Sequence, residues 1–222
     1  MGNLVYKKKL LYEVFKRTAD IVGSTLGIIV FSIPMLIVAI CIKFNSKGPV
    51  LFKDKRVGKN GKIVNIYKFR SMYVDAEERL NEYLTPEQLE QWHRERKIDN
   101  DPRITKVGKF IRKTSLDELP QLFNIFIGNM SIWGNRPISK MELDTWYSEE
   151  QKQLLVKIKP GLTGYWQAYG RSDVTFESGE RQKLDLIYVE KRSTWLDIKI
   201  FFRTIYIVLT GKGAKWWLIL VF

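Results

Sequence analysis

The chain has 222 residues, 37 Lys and Arg against 24 Asp and Glu for a net charge of +13, and a hydrophobic share of 45%. That mixture excludes a disordered polar tail and a polytopic membrane protein alike, and the length suits one domain plus an additional element. The single cysteine, Cys41, excludes an internal disulfide, and the single histidine, His93, argues against His-built zinc sites and Ser-His-Asp chemistry, so any catalysis falls to carboxylates, lysines and arginines.

Residues 1–20 read as an approach helix lying on a surface, with Leu4, Leu10, Leu11, Val14 and Phe15 set among lysines that suit anionic headgroups. Residues 21–42 then run for 22 positions without a charge. A straight helix of that length measures about 33 Å, enough to cross a hydrocarbon core. A buried core helix is the bland alternative. A cleaved signal peptide fits poorly, because no small-x-small exit follows. Pro34 removes a backbone donor near the middle, and Ser32 can re-bond a freed carbonyl. Both flanks are basic: Lys7, Lys8, Lys9, Lys16 and Arg17 before, Lys43, Lys47, Lys53, Lys55 and Arg56 after. A spanning helix concentrates such residues on one side, so two basic flanks and a central proline suggest a hairpin that re-emerges through the same leaflet. On these residues alone, a spanning helix kinked at Pro34 stands level with it.

Residues 50–52 and 63–69 flank Gly58-Lys59-Asn60-Gly61, whose Asn-Gly pair predicts a short β-hairpin. Residues 75–97 read as a solvated helical pair broken at Thr85, the cap, with Pro86 the first helical residue and Gln88 the capping-box partner. His93 falls there as a surface residue. A helix is expected around 119–127, stopped by Gly128. Residues 157–171 read as a Gly-rich, aromatic structured loop. Residues 180–191 and 195–210 read as helices, and the second, with the terminal WWLILVF, has the character of an interfacial anchor; a core helix with a frayed tail is its alternative.

Arg112-Lys113-Thr114-Ser115-Leu116-Asp117-Glu118-Leu119-Pro120 is the most informative stretch. Read plainly it is a capping box, with Ser115 as cap and Glu118 three residues on. Pro120 opposes that, because as the fifth helical residue it could not donate to the carbonyl of Leu116. The helix is better started between Asp117 and Leu119, leaving both carboxylates at its mouth; Asp117 as a simple cap is the competing reading. Adjacent carboxylates near Arg112 and Lys113 suit one acting as nucleophile and the other holding a divalent cation. An aspartate attacking phosphorus gives an acyl-phosphate and needs no histidine. Spacing alone makes this a weak signal.

Gly134-Asn135-Arg136-Pro137 and Gly170-Arg171 each set an arginine in a turn, a geometry suited to bidentate phosphate contacts. Lys68 and Arg70 of Tyr67-Lys68-Phe69-Arg70-Ser71-Met72 add positive charge at an expected strand end. Singly each reads as solvated surface. Together, beside a membrane segment, they describe a site for doubly phosphorylated substrates. Neither a Walker loop nor G-x-G-x-x-G is present.

The chain resembles the bacterial sugar transferases of the monotopic polyprenyl-phosphate phosphoglycosyl transferase family. The strings that carry the likeness are KRTADIVGS, GPVLFKDKRVGKNGKIVNIYKFRSM, DPRITKVGKFIRKTSLDELPQLFNIFIGNMS, GNRP, KPGLTGYWQAYGRS and LDLIYVEKRSTWLDIKI, in that order from about residue 16 to 214. The resemblance implies transfer of a sugar-1-phosphate from a UDP-sugar to undecaprenyl phosphate with release of UMP. It implies Asp117 as nucleophile, Glu118 as Mg²⁺ ligand, and Arg112, Arg136 and Arg171 at phosphate positions. It also implies a re-entrant membrane helix, with the catalytic domain on the cytoplasmic face of the bacterial inner membrane. Two departures stand out. Ile33 separates Ser32 from Pro34 at the membrane bend, where the family commonly has Ser-Pro, and Asn135 replaces the proline usual before Arg136.

The expected fold is α+β and predominantly helical: residues 1–48 as surface helix and membrane-inserted hairpin, 49–214 as a small cytoplasmic domain with a short β-hairpin and amphipathic interfacial helices, and 215–222 as an apolar tail. Expected partners are the UDP-sugar, undecaprenyl phosphate and membrane lipids, with a homodimer compatible. A membrane-tethered nucleic-acid binder is the competing class, but its charge should form a stripe, and here the basic residues are scattered and gather at the membrane segment. A non-catalytic scaffold is the third, opposed by the intact Asp117-Glu118 pair.

Overall fold

The computed structural model describes residues 9–95, 98, 100–170 and 176–210, most of them helical. The expected tail at 215–222 and Arg171 lie outside these residues. The chain divides into two compact units, one of Met1–Ile29, Asp54–Ile66 and Gln121–Phe222, the other of Val30–Lys53 and Tyr67–Pro120.

Helix α1 runs Leu10–Asn45 with Ser32 and Pro34 inside it, so from Leu10 onward the approach segment and the apolar run share one helix. It is long and apolar enough to cross a membrane, and only 17% of its most apolar window is buried. Val22, Leu26, Ile29, Val30, Ile33 and Leu36 are each more than half exposed. A core helix of a soluble domain would bury such residues, so that alternative fails.

Strands β1 (Leu51–Val57) and β2 (Ile63–Phe69) pair as the expected hairpin, with β1 longer than its apolar residues suggested. Asn60 and Gly61 turn the chain at φ of 60° and 75°, a left-handed conformation that Asn tolerates and Gly adopts freely.

In the first unit, α5 (Gln121–Ile127) begins later than expected but stops as expected. Gly128 takes φ 91°, its N–H bonds Ile125 O at 3.0 Å, and the N–H of Asn129 reaches back to Asn124 O at 2.9 Å, which is a Schellman closure. Arg17 of α1 donates to the carbonyls of Ile125, as a second donor, and Phe126 at 2.9 and 2.8 Å. One turn on, buried Asp20 accepts from the Ser131 hydroxyl and the Ile132 N–H, fixing α1 to strand β3 (Ser131–Trp133). Buried Asp197 likewise accepts from the hydroxyls of Tyr12 and Tyr188, both at 2.8 Å, and from Lys16 at 3.3 Å.

The 157–171 stretch is not a loop. It forms β4 (Gly161–Thr163), parallel to β3 in the register Ser131↔Gly161, and then α8 (Tyr165–Tyr169). Glycine makes this pairing sterically available: a Cβ on Gly161 would meet Gly134 N at 2.1 Å, and one on Gly164 would meet Gly134 O at 1.9 Å. Capping boxes open α6 (Lys140–Trp146) at Ser139/Glu142 and α7 (Glu149–Leu155) at Ser148/Gln151. These helices pack with α9 (Glu180–Lys191) and α10 (Thr194–Thr210) around Ile138, Leu143, Leu155, Leu186, Val189 and Ile200. A smaller core gathers Ile66, Ile125 and Met130.

In the second unit, α2 (Leu80–Tyr83) and α3 (Pro86–Glu95) form the expected pair, with Thr85 and Gln88 bonded reciprocally at 3.3 and 3.1 Å. The side chain of His93 lies outside the described residues. The carboxylate of Asp101 holds Arg103 in a buried fork at 2.9 and 2.7 Å. Helix α4 (Lys106–Lys113) follows, capped by the Thr105 hydroxyl and packed so closely that a Cβ on Gly108 would lie 1.9 Å from Ser71 O.

Candidate active site

Helix α4 ends at Thr114, whose hydroxyl bonds back to Phe110 O at 2.9 Å. Ser115 then reverses the backbone at φ 57°, an uncommon conformation for a residue with a Cβ. Its side chain makes no cap, so the capping-box reading is wrong here, as Pro120 indicated. Leu116–Glu118 form a single 3-10 turn instead, closed by Leu119 N–H on Leu116 O at 3.2 Å. The two carboxylates therefore stand in a tight turn ahead of α5, two to three residues before Pro120.

Burial chiefly raises the Asp117 carboxyl from its ordinary 3.8 to about 6, and the neighbouring Glu118 charge adds to it; Arg112 and Lys68 pull the other way. Three of the expected residues, Lys68, Arg112 and Glu118, thus each act electrostatically on the fourth, Asp117. At pH 7 a group with this affinity is mostly ionised, as a nucleophile must be. Ionisation inside a half-buried site leaves the carboxylate poorly solvated and correspondingly reactive.

The other expected residues are placed differently. Arg70 is buried, and its guanidinium donates to Lys47 O at 2.6 Å and Ser46 O at 2.8 Å, just past the C-terminus of α1. A cation there complements the helix dipole, and Arg70 is held by the main chain of its own unit. Arg136 belongs to the first unit, where its guanidinium faces the Trp166 ring at 6.0 Å. Sequence reasoning passed over that neighbourhood. Arg181 lies 4.3 Å from the same ring, and buried Asp185, raised to about 6 by burial against the pull of Arg181, accepts from the Tyr147 hydroxyl at 2.7 Å. The signal was the Arg181/Asp185 pair at i, i+4 on a helix face otherwise filled by Leu186 and Val189.

No group of three or more His, Cys, Asp or Glu side chains able to hold a metal occurs among the described residues. Two adjacent carboxylates, repelling enough to raise Asp117, do suit a hard divalent ion that takes one or two carboxylate oxygens and completes its shell with phosphate oxygens and water.

The family model for bacterial sugar transferase matches residues 11–211. Among similar proteins, undecaprenyl-phosphate galactose phosphotransferase of Salmonella typhimurium is 44% identical over 90% of this chain and 41% of its own length. UDP-glucose:undecaprenyl-phosphate glucose-1-phosphate transferase of Escherichia coli is 37% identical over 91% of the chain and 42% of its own length. Exopolysaccharide production protein ExoY of Rhizobium meliloti is 38% identical over 90% of the chain and 87% of its own length. The chain thus spans less than half of the first two and most of the third. It belongs to the bacterial sugar transferase family.

Proposed function

We propose that this bacterial sugar transferase moves a sugar-1-phosphate from a UDP-sugar to undecaprenyl phosphate, in two displacements at phosphorus. A carboxylate oxygen of Asp117 attacks the phosphorus that bears the sugar. The bond from that phosphorus to the bridging oxygen breaks, UMP departs with the electron pair, and an aspartyl phospho-sugar remains. A phosphate oxygen of undecaprenyl phosphate then attacks the same phosphorus, forming the lipid diphosphate-sugar and returning Asp117 to its carboxylate. Arg112 and Lys68, the two cations that bear on Asp117, offset the phosphate charge during both steps. Glu118 would hold Mg²⁺, which supplies charge neutralisation on the phosphate oxygens when bound. The observation that carries this reading is Asp117, raised yet ionised, in a turn with a second carboxylate and two cations in electrostatic reach.

The apolar surface favours a seat on a membrane. Besides α1, Phe123, Phe126 and Ile127 of α5 are exposed, as are Trp195, Phe202 and Tyr206 of α10. Faces of that composition suit an interfacial position, with α1 inserted as a re-entrant helix and the catalytic residues on the cytoplasmic face of the inner membrane. A lipid phosphate waits at that plane, which reduces a three-dimensional search to two dimensions. Relatives named for galactose and glucose transfer support a UDP-hexose donor, and one named for exopolysaccharide production supports a role in surface-polysaccharide assembly.

The test is chemical trapping. Incubated with UDP-sugar carrying a radiolabelled β-phosphate, and without acceptor, the protein is expected to hold label on the peptide containing Asp117. Asp117→Asn is expected to hold none and to release no UMP. Label elsewhere, or turnover by the Asn variant near the parental rate, would end the proposal.

A further inference from the structure

Within the first unit, α5 lies antiparallel along the early part of α1. A Cβ on Gly27 would stand 3.1 Å from Leu122 near the start of α5, while Arg17 bonds the carbonyls of Ile125 and Phe126 at its end. Arg17 and Gly27 are ten residues apart on α1, so the helices accompany one another for about 15 Å. Along that length Val22 and Leu26 of α1 are exposed, as are Phe123, Phe126 and Ile127 of α5. The apolar pair therefore has one polar end, at Arg17 and Gly128, just ahead of the charge-free run of α1.

Lys159, two residues before β4, reaches the same place. A Cβ on Gly128 would lie 3.3 Å from its Nζ and 3.4 Å from Nη2 of Arg17, so the two cations are no more than 6.7 Å apart. Arg17 is committed to main-chain carbonyls, whereas Lys159 has no hydrogen bond or ion pair among the described residues. Burial chiefly, then the charge of Arg17, loosens the proton of Lys159, and Lys59 adds to this; Asp20 and Glu13 are the carboxylates that oppose it. Both carboxylates are engaged elsewhere. Asp20 accepts from Ser131 and Ile132, and Glu13 lies 3.7 Å from Arg192. Lys159 and Trp133 line one hollow of about 380 Å³, part of it open to solvent, and Trp133 Nε1 is buried without a hydrogen-bond partner among the described residues. Donors left so mark a partner rich in acceptor oxygens.

We infer that Lys159, with the charge of Arg17 beside it, holds the headgroup phosphate of an anionic glycerophospholipid whose acyl chains lie along the exposed residues of α5. A lysine at the polar end of an apolar helix pair sits at headgroup level, its stem along apolar surface and its ammonium toward phosphate. A zwitterionic headgroup would bring its own ammonium against Lys159 and Arg17. Free phosphate would leave Phe126 and Ile127 uncovered. The occupant is a resident lipid of the bilayer and not a reactant. This rests on the proposed membrane seat of α1, and adds to it a discrete site with a headgroup preference.

Calorimetric titration of the full chain in uncharged detergent reads the site, with dioctanoyl phosphatidylglycerol, dioctanoyl phosphatidylcholine and inorganic phosphate as separate probes. The parent is expected to bind phosphatidylglycerol most tightly. Lys159→Gln is expected to weaken that binding about fivefold, the loss for one lysine at an anionic surface, and to leave phosphatidylcholine unchanged. Lys159→Arg, which keeps the charge, and Lys183→Gln, which removes an exposed charge of α9, are expected to stay within about twofold of the parent. Phosphatidylglycerol affinity within twofold of the parent in a folded Lys159→Gln protein overturns the site. Should that variant not fold, Lys159→Met, which keeps the apolar stem, decides by the same criterion. Equal losses in Lys159→Gln and Lys183→Gln overturn it too, since net charge alone would then explain them. Inorganic phosphate bound as tightly as phosphatidylglycerol removes the lipid. Unchanged phosphatidylglycerol binding with a raised KM for undecaprenyl phosphate in Lys159→Gln makes the occupant the acceptor, and the inference is wrong. Parental protein that enters the detergent phase on cloud-point partition yet shows no headgroup preference loses the site and keeps the membrane seat. Protein that stays in the aqueous phase loses both.

Discussion

Asp117→Asn is expected to make the protein more stable as it makes it inactive. Burial raises the carboxyl from 3.8 to about 6, so the folded protein holds its proton more tightly than the unfolded chain does. Below pH 4 both states are protonated and nothing is lost. Between about pH 4 and 6 the unfolded chain ionises first, and stability falls as pH rises; above about 6 both are ionised and the deficit is constant. Two pKa units at about 1.4 kcal/mol each give about 3 kcal/mol, and partial exposure trims this to about 2 kcal/mol. Asn keeps the size and drops the charge. At about 2–4 °C per kcal/mol for a chain of this length, Tm should rise by roughly 4–8 °C at pH 7.5. The same arithmetic shrinks the gain to about a third at pH 4.5. Thermal melts of both proteins in one detergent at the two pH values check it. A variant that melts below the parent at pH 7.5, or a gap that ignores pH, would refute an aspartate strained by its own charge.

Four further outcomes are expected. The rate of UMP release in the donor half-reaction should fall about tenfold per unit below roughly pH 6, as Asp117 takes up its proton; a stopped assay across pH 5–8 reads this. Glu118→Gln should shift the Mg²⁺ titration of that rate to higher concentration, and chelation with EDTA should stop the parental reaction; an unchanged titration would remove Glu118 from the metal. Arg70→Met strands the Ser46 and Lys47 carbonyls and should lower stability by about 2–4 kcal/mol, seen as an earlier melt. Gly164→Ala drives a methyl to 1.9 Å from Gly134 O and should yield no folded protein by size exclusion.

Local chemistry was legible in the sequence wherever one residue type has one use. Asn60-Gly61 turned the hairpin, Thr85-Pro86 opened α3, Gly128 closed α5, and Pro120 excluded a helix from Ser115. Missed were features fixed by what lies across the fold. The 157–171 stretch has too many glycines to look regular, yet those glycines are what let β4 pair with β3 and seat Gly164 on Gly134. Ser139/Glu142 and Ser148/Gln151 did carry a local signal for α6 and α7 that went unread. In the site, the Asp117-Glu118 pair was visible as two carboxylates before a proline. Arg181 was passed over, because its i, i+4 spacing to Asp185 is a common surface pattern and only the packing of α9 shows that this cation turns inward.

A basic composition invites counting every arginine toward phosphate, and the structure divides them by a simpler criterion. Arg17, Arg70, Arg192 and Arg203 each donate to main-chain carbonyls, at Ile125 and Phe126, Ser46 and Lys47, Val189, and Ala168. Arg103 is forked by its own Asp101. A guanidinium suits this internal work because its planar donors satisfy carbonyls that would otherwise be orphaned near helix ends, and it keeps its charge while doing so. Arg112 and Arg181 differ in kind: the first bears on a carboxylate raised by burial, and the second stacks on an indole whose N–H has no hydrogen-bond partner among the described residues. Substitution in the first set should therefore appear in the melting temperature, whereas Arg112→Gln at the exposed end of α4 should appear in the rate of UMP release at nearly constant Tm. Net charge contributes to the attraction for an anionic surface, but it is partner geometry that marks the arginines holding the protein together.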